Sequence, residues 1–141
     1  MRKIKDLINL KGRTSLVTGS CGSLGRVICD SLAEIGSDLI LVDLPELDIN
    51  SLANDLENDN SIKTKVFGCN LEEPKSREKL ILEVLSSQKE LSILVNAAAL
   101  VSSNDLEGWA TRIEDQSLET WNRAIEVNLS AAFDLSKGLA P

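Results

Sequence analysis

The 141-residue chain contains no histidine and no tyrosine, and it has only three cysteines, three prolines, two tryptophans and two phenylalanines. Without histidine a mixed Cys/His zinc site cannot be completed. Cys21, Cys29 and Cys69 are odd in number and lack CxxC spacing, so they read as reduced, mostly buried thiols rather than as a disulfide framework or a metal site. Long hydrophobic runs are missing too: the longest apolar stretch, residues 97–101, is far too short to span a bilayer. Residues 6–10 lie among the cations Arg2, Lys3, Lys5, Lys11 and Arg13, and are too short and too polar for the core of a signal peptide. They read as a leader into the first strand, and a cytoplasmic location is expected. Nor is there an excess of positive charge. Fifteen Lys and Arg face 22 Asp and Glu, for a net charge of −7, and such a field repels phosphate backbones and anionic lipid. Neither nucleic acid nor membrane is an expected partner.

What is present is the balance of a folded α/β domain, with 43% hydrophobic and 26% charged residues in a length that suits one domain. Residues 14–18 form a short β-prone run stopped by Gly19, after which Leu24, Val27, Ile28, Ser31, Leu32 and Ile35 recur as one face of a helix. Gly36 stands where a helix C-terminal glycine belongs, and residues 38–43 are nearly all apolar, as a strand covered on both faces should be. The pattern continues with a helix over 46–58, a strand over 64–68, a helix over 74–89 and a strand over 91–95. A polar loop over 97–116 then leads into helical spacing of Leu118, Trp121, Ile125, Asn128, Ala132 and Leu135. This alternation predicts a Rossmann-type, doubly wound parallel sheet of order 3-2-1-4, with right-handed crossovers and helices on both faces.

The informative segment is Val17-Thr18-Gly19-Ser20-Cys21-Gly22-Ser23-Leu24-Gly25-Arg26, between the first strand and the first helix. Gly19 permits the tight turn, Gly22 or Ser23 leaves room for a pyrophosphate, and Gly25 lets the helix lie close to the strand, so that its free N–H groups face the phosphates. A phosphate loop of the nucleoside-triphosphatase type needs Gly-Lys-Ser/Thr, whereas Gly25 is followed by Arg26-Val27. Asp43 ends the second strand roughly 20 residues beyond the glycines, where a carboxylate accepts both ribose hydroxyls and repels a 2′-phosphate. Leu44 and Pro45 after it offer no cation. NAD is therefore expected over NADP. Out of context the glycines make only a sharp turn and Asp43 only a strand-end cap.

From Gly12 onward the sequence resembles the short-chain dehydrogenase/reductase family. Thr18-Gly19…Gly25 looks like its glycine turn, Asp43 its ribose-binding acid, Leu94-Val95-Asn96-Ala97-Ala98-Ala99 its Asn-Asn-Ala-Gly segment, and Trp121…Val127-Asn128-Leu129 its helix signature. The resemblance implies an NAD(P)-dependent oxidoreductase acting on a small alcohol or carbonyl substrate, homo-oligomeric when full-length. By the same resemblance the cofactor would meet Gly19, Ser23, Leu24, Gly25, Asp43, Asn70, Leu71, Asn96, Ala97 and Ala98. Asn128 matches the asparagine that holds a water in the family's proton relay, and the long loop with Trp109 and Arg112 would border the substrate.

Ser23 replaces the middle glycine of the usual pattern, and the resulting Gly19, Gly22, Gly25 spacing also fits the extended branch with its sugar-nucleotide epimerases and dehydratases. Asn70 stands where the family carries an aspartate. The family's chemistry uses a serine and a Tyr-x-x-x-Lys that follow the Asn128 helix, and no tyrosine occurs here; Ser102 and Ser103 have no basic neighbour to replace it. The chain therefore reads as the cofactor-binding part of a longer enzyme, inactive alone. It is expected to expose the edge of its fourth strand beside a helix face of Trp121, Ile125 and Leu135, and so to be prone to aggregate. Alternatives are a short non-catalytic nucleotide-binding or regulatory module and a remnant that does not fold.

Overall fold

A computed structural model describes residues 8–87, 90–101 and 106–140. The leader cations Arg2, Lys3 and Lys5, and the loop serines Ser102 and Ser103, lie outside the described residues. The elements run β1 (Thr14–Thr18), α1 (Ser23–Glu34), β2 (Asp38–Asp43), α2 (Ile49–Asp59), β3 (Thr64–Gly68), α3 (Pro74–Ser87) and β4 (Ile93–Asn96). A 3-10 turn (Ile113–Asp115) then precedes α4 (Leu118–Ile125), a π-helical turn (Glu126–Ser130) and α5 (Ala131–Leu139). The four strands are parallel in the order β3-β2-β1-β4, as expected for a doubly wound Rossmann sheet. Register aligns their carboxyl ends: Thr18 stands opposite both Val42 and Asn96, and Asp43 opposite Gly68.

Successive side chains of a strand point to opposite faces, and each face has its own core. Leu16, Ile40 and Val42 pack with Leu80 and Val84 of α3 and Ala131, Leu135 and Leu139 of α5. Val17, Leu39 and Leu41 pack with Cys29 and Ala33 of α1 and Ile49, Leu52 and Leu56 of α2. At the end of α1, Gly36 takes φ +90°, Ser37 N–H donates to Leu32 O (3.0 Å) and Gly36 N–H to Ala33 O (2.9 Å). This left-handed glycine cap is the one its position in the sequence suggested.

Three boundaries differ from the sequence reading. Helix α2 begins at Ile49 rather than 46, because Asp48 accepts from Ser51 N–H (3.0 Å) and so caps the helix. Strand β4 runs 93–96 rather than 91–95, following the start of β1, where Ser15 pairs with Ile93. The single helix expected from Leu118 onward is interrupted by the π turn. Each residue of an α-helix advances about 100°, so the extra residue of a π turn rotates everything after it. Leu135, expected beside Trp121 on the outer face, is instead fully buried in the core. The exposed apolar face is Leu118 (73%), Trp121 (54%), Leu129 (63%) and Phe133 (64%), with Ile125 at its margin.

Replacing Leu135 by Ala should therefore cost about 3 kcal/mol of folding stability, within the range for a fully buried leucine. Urea unfolding monitored by circular dichroism measures it. A loss below about 1 kcal/mol, the size of an ordinary surface substitution, would place Leu135 outside the core.

Candidate functional site

At the carboxyl edge, β1 turns into α1 through a backbone with no room for a side chain at Gly19 or Gly25. Gly19 has φ +66°, and a Cβ on it would stand 2.7 Å from Ala98 Cα. A Cβ on Gly25 would stand 2.0 Å from Gly19 O. Gly22 N–H donates back to Gly19 O (3.0 Å), and the first helical bond runs from Arg26 N–H to Gly22 O (2.9 Å). The N–H groups of Ser23, Leu24 and Gly25 come before that bond, and no side chain caps the helix. They form an electropositive helix start facing the cleft.

Asp43 sits across this turn. Its carboxylate accepts from Cys21 N–H (2.7 Å, Oδ2) and from its own neighbour Leu44 N–H (2.9 Å, Oδ1). A carboxylate has about four acceptor directions, so each oxygen keeps one for a further donor. Thr18 Oγ1 ties β1 to the segment after β4, accepting from Ala97 N–H and Ala98 N–H (both 3.2 Å). Asn70 shapes the loop after β3, its Oδ1 accepting from Glu72 N–H (3.1 Å) and its Nδ2 donating to Glu73 Oε1 (3.3 Å).

Together these segments enclose a groove of about 840 Å³. Gly19, Ser23, Leu24, Gly25, Asp43, Asn70, Leu71, Ala97 and Ala98 all line it. Asn96 and Asn128 do not; they border a separate cavity of about 30 Å³, between β4 and the π turn. Asn96 Nδ2 faces Ser136 Oγ (3.5 Å). Asn128 clamps a backbone: its Oδ1 accepts from Leu100 N–H (2.7 Å) and its Nδ2 donates to Leu100 O (3.1 Å). One lone pair and one N–H of that amide remain for a water. Trp109 and Arg112 lie off the groove, and Arg112 pairs instead with Glu114 (3.8 Å).

Sequence reasoning passed over Arg123 and Glu72, which face each other along the groove wall at 2.8 and 3.2 Å, and Arg77 behind them. The available signal was Arg77 itself, a charge three residues before Leu80 and seven before Val84 on the buried stripe of α3.

Burial and the Asp43 carboxylate push the Cys21 thiol up. Burial pushes Cys29 up to about 12. Among the described residues no cluster of His, Cys, Asp or Glu could hold a metal ion, and no helix is long and apolar enough to cross a membrane.

The family model described as short chain dehydrogenase matches residues 13–141, a span that holds the glycine cradle, Asp43 and all four strands. The chain belongs to this family. Among its dehydrogenase relatives, the short chain dehydrogenase/reductase dpmpG of Macrophomina phaseolina is 27% identical over 94% of this chain and 72% of that protein. The 3-oxoacyl-(acyl-carrier-protein) reductase FabG of Escherichia coli is 32% identical over 94% of this chain and 50% of its own length. The L-sorbose reductase of Gluconobacter frateurii, solved with NADPH and L-sorbose, superposes with a TM-score of 0.84 at 24% identity, covering 95% of this chain and 48% of that one. The chain spans about half the length of the Escherichia reductase and of several other curated relatives it matches.

Two outcomes follow from this geometry. Gly25→Ala should lower the melting temperature by several degrees, since the methyl group drives α1 away from Gly19 O; an unchanged melting temperature would mean that the turn has slack. For Cys29, the unfolded chain sheds the thiol proton near 9.0 and the fold only near about 12. Its contribution to stability is whole below pH 9 and drains away as pH climbs toward 12. A water-soluble thiol reagent at pH 8 should leave Cys29 unmodified until denaturant is added, and rapid labelling of the native chain would contradict its burial.

Proposed function

We propose that this chain is the cofactor-binding part of an oxidoreductase that transfers hydride between a nicotinamide dinucleotide and a small alcohol or carbonyl substrate, and that it prefers NAD to NADP. The observation that carries the reading is the uncapped start of α1 facing Asp43 across a groove of about 840 Å³, within the usual range for cofactor clefts. When bound, the dinucleotide supplies the hydride carrier. The residues present fit it. The N–H groups of Ser23, Leu24 and Gly25 would hold the pyrophosphate, Gly19 and Gly25 keep that approach free of side chains, and Asp43 offers its remaining acceptor sites to ribose hydroxyls. Asn70, Leu71, Ala97 and Ala98 would flank the adenosine half. Asn128 would fix Leu100 and hold a water at the neighbouring small cavity.

Electrostatics favour NAD. Asp43, Glu46, Asp48 and Glu72 line the groove against Arg26 and Arg123, of which Arg123 pairs with Glu72 and Arg26 gives its Nε–H to Cys21 O. Several relatives are nevertheless named for the phosphorylated cofactor, among them a metagenomic oxidoreductase solved with NADP and the NADP-dependent mannitol dehydrogenase of Alternaria alternata. The exposed face of Leu118, Trp121, Leu129 and Phe133 supports a subunit contact in the whole enzyme.

Calorimetric titration tests the cofactor assignment. NAD should bind at least about tenfold more tightly than NADP, a difference of about 1.4 kcal/mol, and Asp43→Ala should weaken NAD and narrow the gap. Equal or reversed affinities in the unmodified chain would overturn the preference, and absence of binding to either would overturn the reading of the groove.

A further inference from the structure

Arg77 is the most deeply buried charged group among the described residues, 3% exposed, although α3 places it within one turn of the helix start. All three guanidinium nitrogens are engaged. Nε donates to Asp134 Oδ2 (2.8 Å), Nη2 to Glu126 Oε2 (2.9 Å), and Nη1 to the carbonyl oxygens of Leu71 (2.7 Å) and Glu72 (3.4 Å). These partners belong to two separate structures. Glu126 opens the π turn and Asp134 lies just beyond it, so the guanidinium straps the turn at both ends. Leu71 and Glu72 are the groove wall next to Asn70. Arg123, from α4, doubles the link by holding the Glu72 carboxylate. A planar, permanently charged fork suits this multiple anchoring, which a point charge on a flexible stem reproduces only in part.

We propose that Arg77 is a positioning residue that couples the groove wall at residues 70–72 to the π turn carrying Asn128, so that a nucleotide bound in the groove steadies the Asn128 clamp on Leu100. A π turn holds an extra residue that an ordinary helix would expel, and the strap from Glu126 to Asp134 supplies a local reason for it to persist. The adenosine side of the groove and the clamp then share one rigid anchor, and a ligand that orders one orders the other. The coupling to nucleotide rests on the dinucleotide reading above; the strap itself does not.

The test is amide hydrogen exchange by NMR on the 141-residue chain, with and without saturating NAD, in the unmodified protein and in Arg77→Met, Arg77→Lys and Glu126→Gln. Without ligand, Arg77→Met should speed exchange of the Leu100 and Glu72 N–H groups by roughly tenfold or more, the scale of losing hydrogen bonds to a charged group, relative to Val17 and Leu41 in the sheet. Arg77→Lys should restore part of that protection. Glu126→Gln keeps the arginine on Leu71, so it should speed Leu100 and spare Glu72, and it decides the matter if Arg77→Met does not fold. In the unmodified chain NAD should slow exchange at Leu100, and in Glu126→Gln that slowing should vanish. Uniform acceleration across the sheet would reduce Arg77 to general stability and overturn the proposal, as would unchanged exchange at Leu100 in Glu126→Gln. Failure of the unmodified chain to bind NAD would overturn the dinucleotide reading and the ligand coupling, while the ligand-free rates still decide the strap.

Discussion

A Cβ on Gly25 would lie 2.0 Å from the carbonyl oxygen of Gly19, and one on Gly19 would lie 2.7 Å from Ala98 Cα. Three backbone segments thus meet at one point: the end of β1, the start of α1 and the segment after β4. Each sits as close as backbone can sit to backbone, and two glycines make that possible. Because the helix starts so near the strand, its first turn lines the groove at the sheet edge. Because the β4 segment is drawn in as well, Ala97 and Ala98 become a wall of the same groove, held there by Thr18 Oγ1.

The opposite wall is built differently. On the β2 side a single carboxylate, Asp43, joins the turn to its own strand end through Cys21 N–H. On the β3 side the wall is a charged lattice in which Arg77 and Arg123 bind Glu72, Glu126, Asp134 and the Leu71 carbonyl. Removing one member of such a lattice leaves its partners poorly satisfied, which costs more than the net worth of any one pair. One wall is therefore fixed by steric necessity and the other by charge.

The sequence made much of this legible, for physical reasons. Strand β2 is covered on both faces, so its apolar run announces it, and β1 shows as a short β-prone run stopped by Gly19. The glycine turn is visible because only glycine meets its geometry, and the parallel order follows from crossover handedness. What stayed hidden depends on distant partners or on a single residue of phase. Helical periodicity cannot register the inserted residue of a π turn, so Leu135 appeared on the wrong face. The place of Arg77 on the apolar stripe of α3 signals burial, but its carboxylate partners lie 49 and 57 residues away and no local pattern names them. Asn96 and Asn128 were expected at a cofactor and a proton relay; their present partners, Ser136 and the Leu100 backbone, come together only once α4 and α5 dock on the sheet.

On the proposed function, the cradle of Gly19 and Gly25, with Asp43 opposite, holds a dinucleotide along the carboxyl edge of the sheet. A crystal structure of the chain grown with NAD tests it most directly. The expected result is the pyrophosphate within hydrogen-bonding distance of the first-turn N–H groups of α1 and a ribose diol on the free acceptor sites of Asp43. A dinucleotide bound elsewhere, or one whose ribose turns away from Asp43, would contradict it.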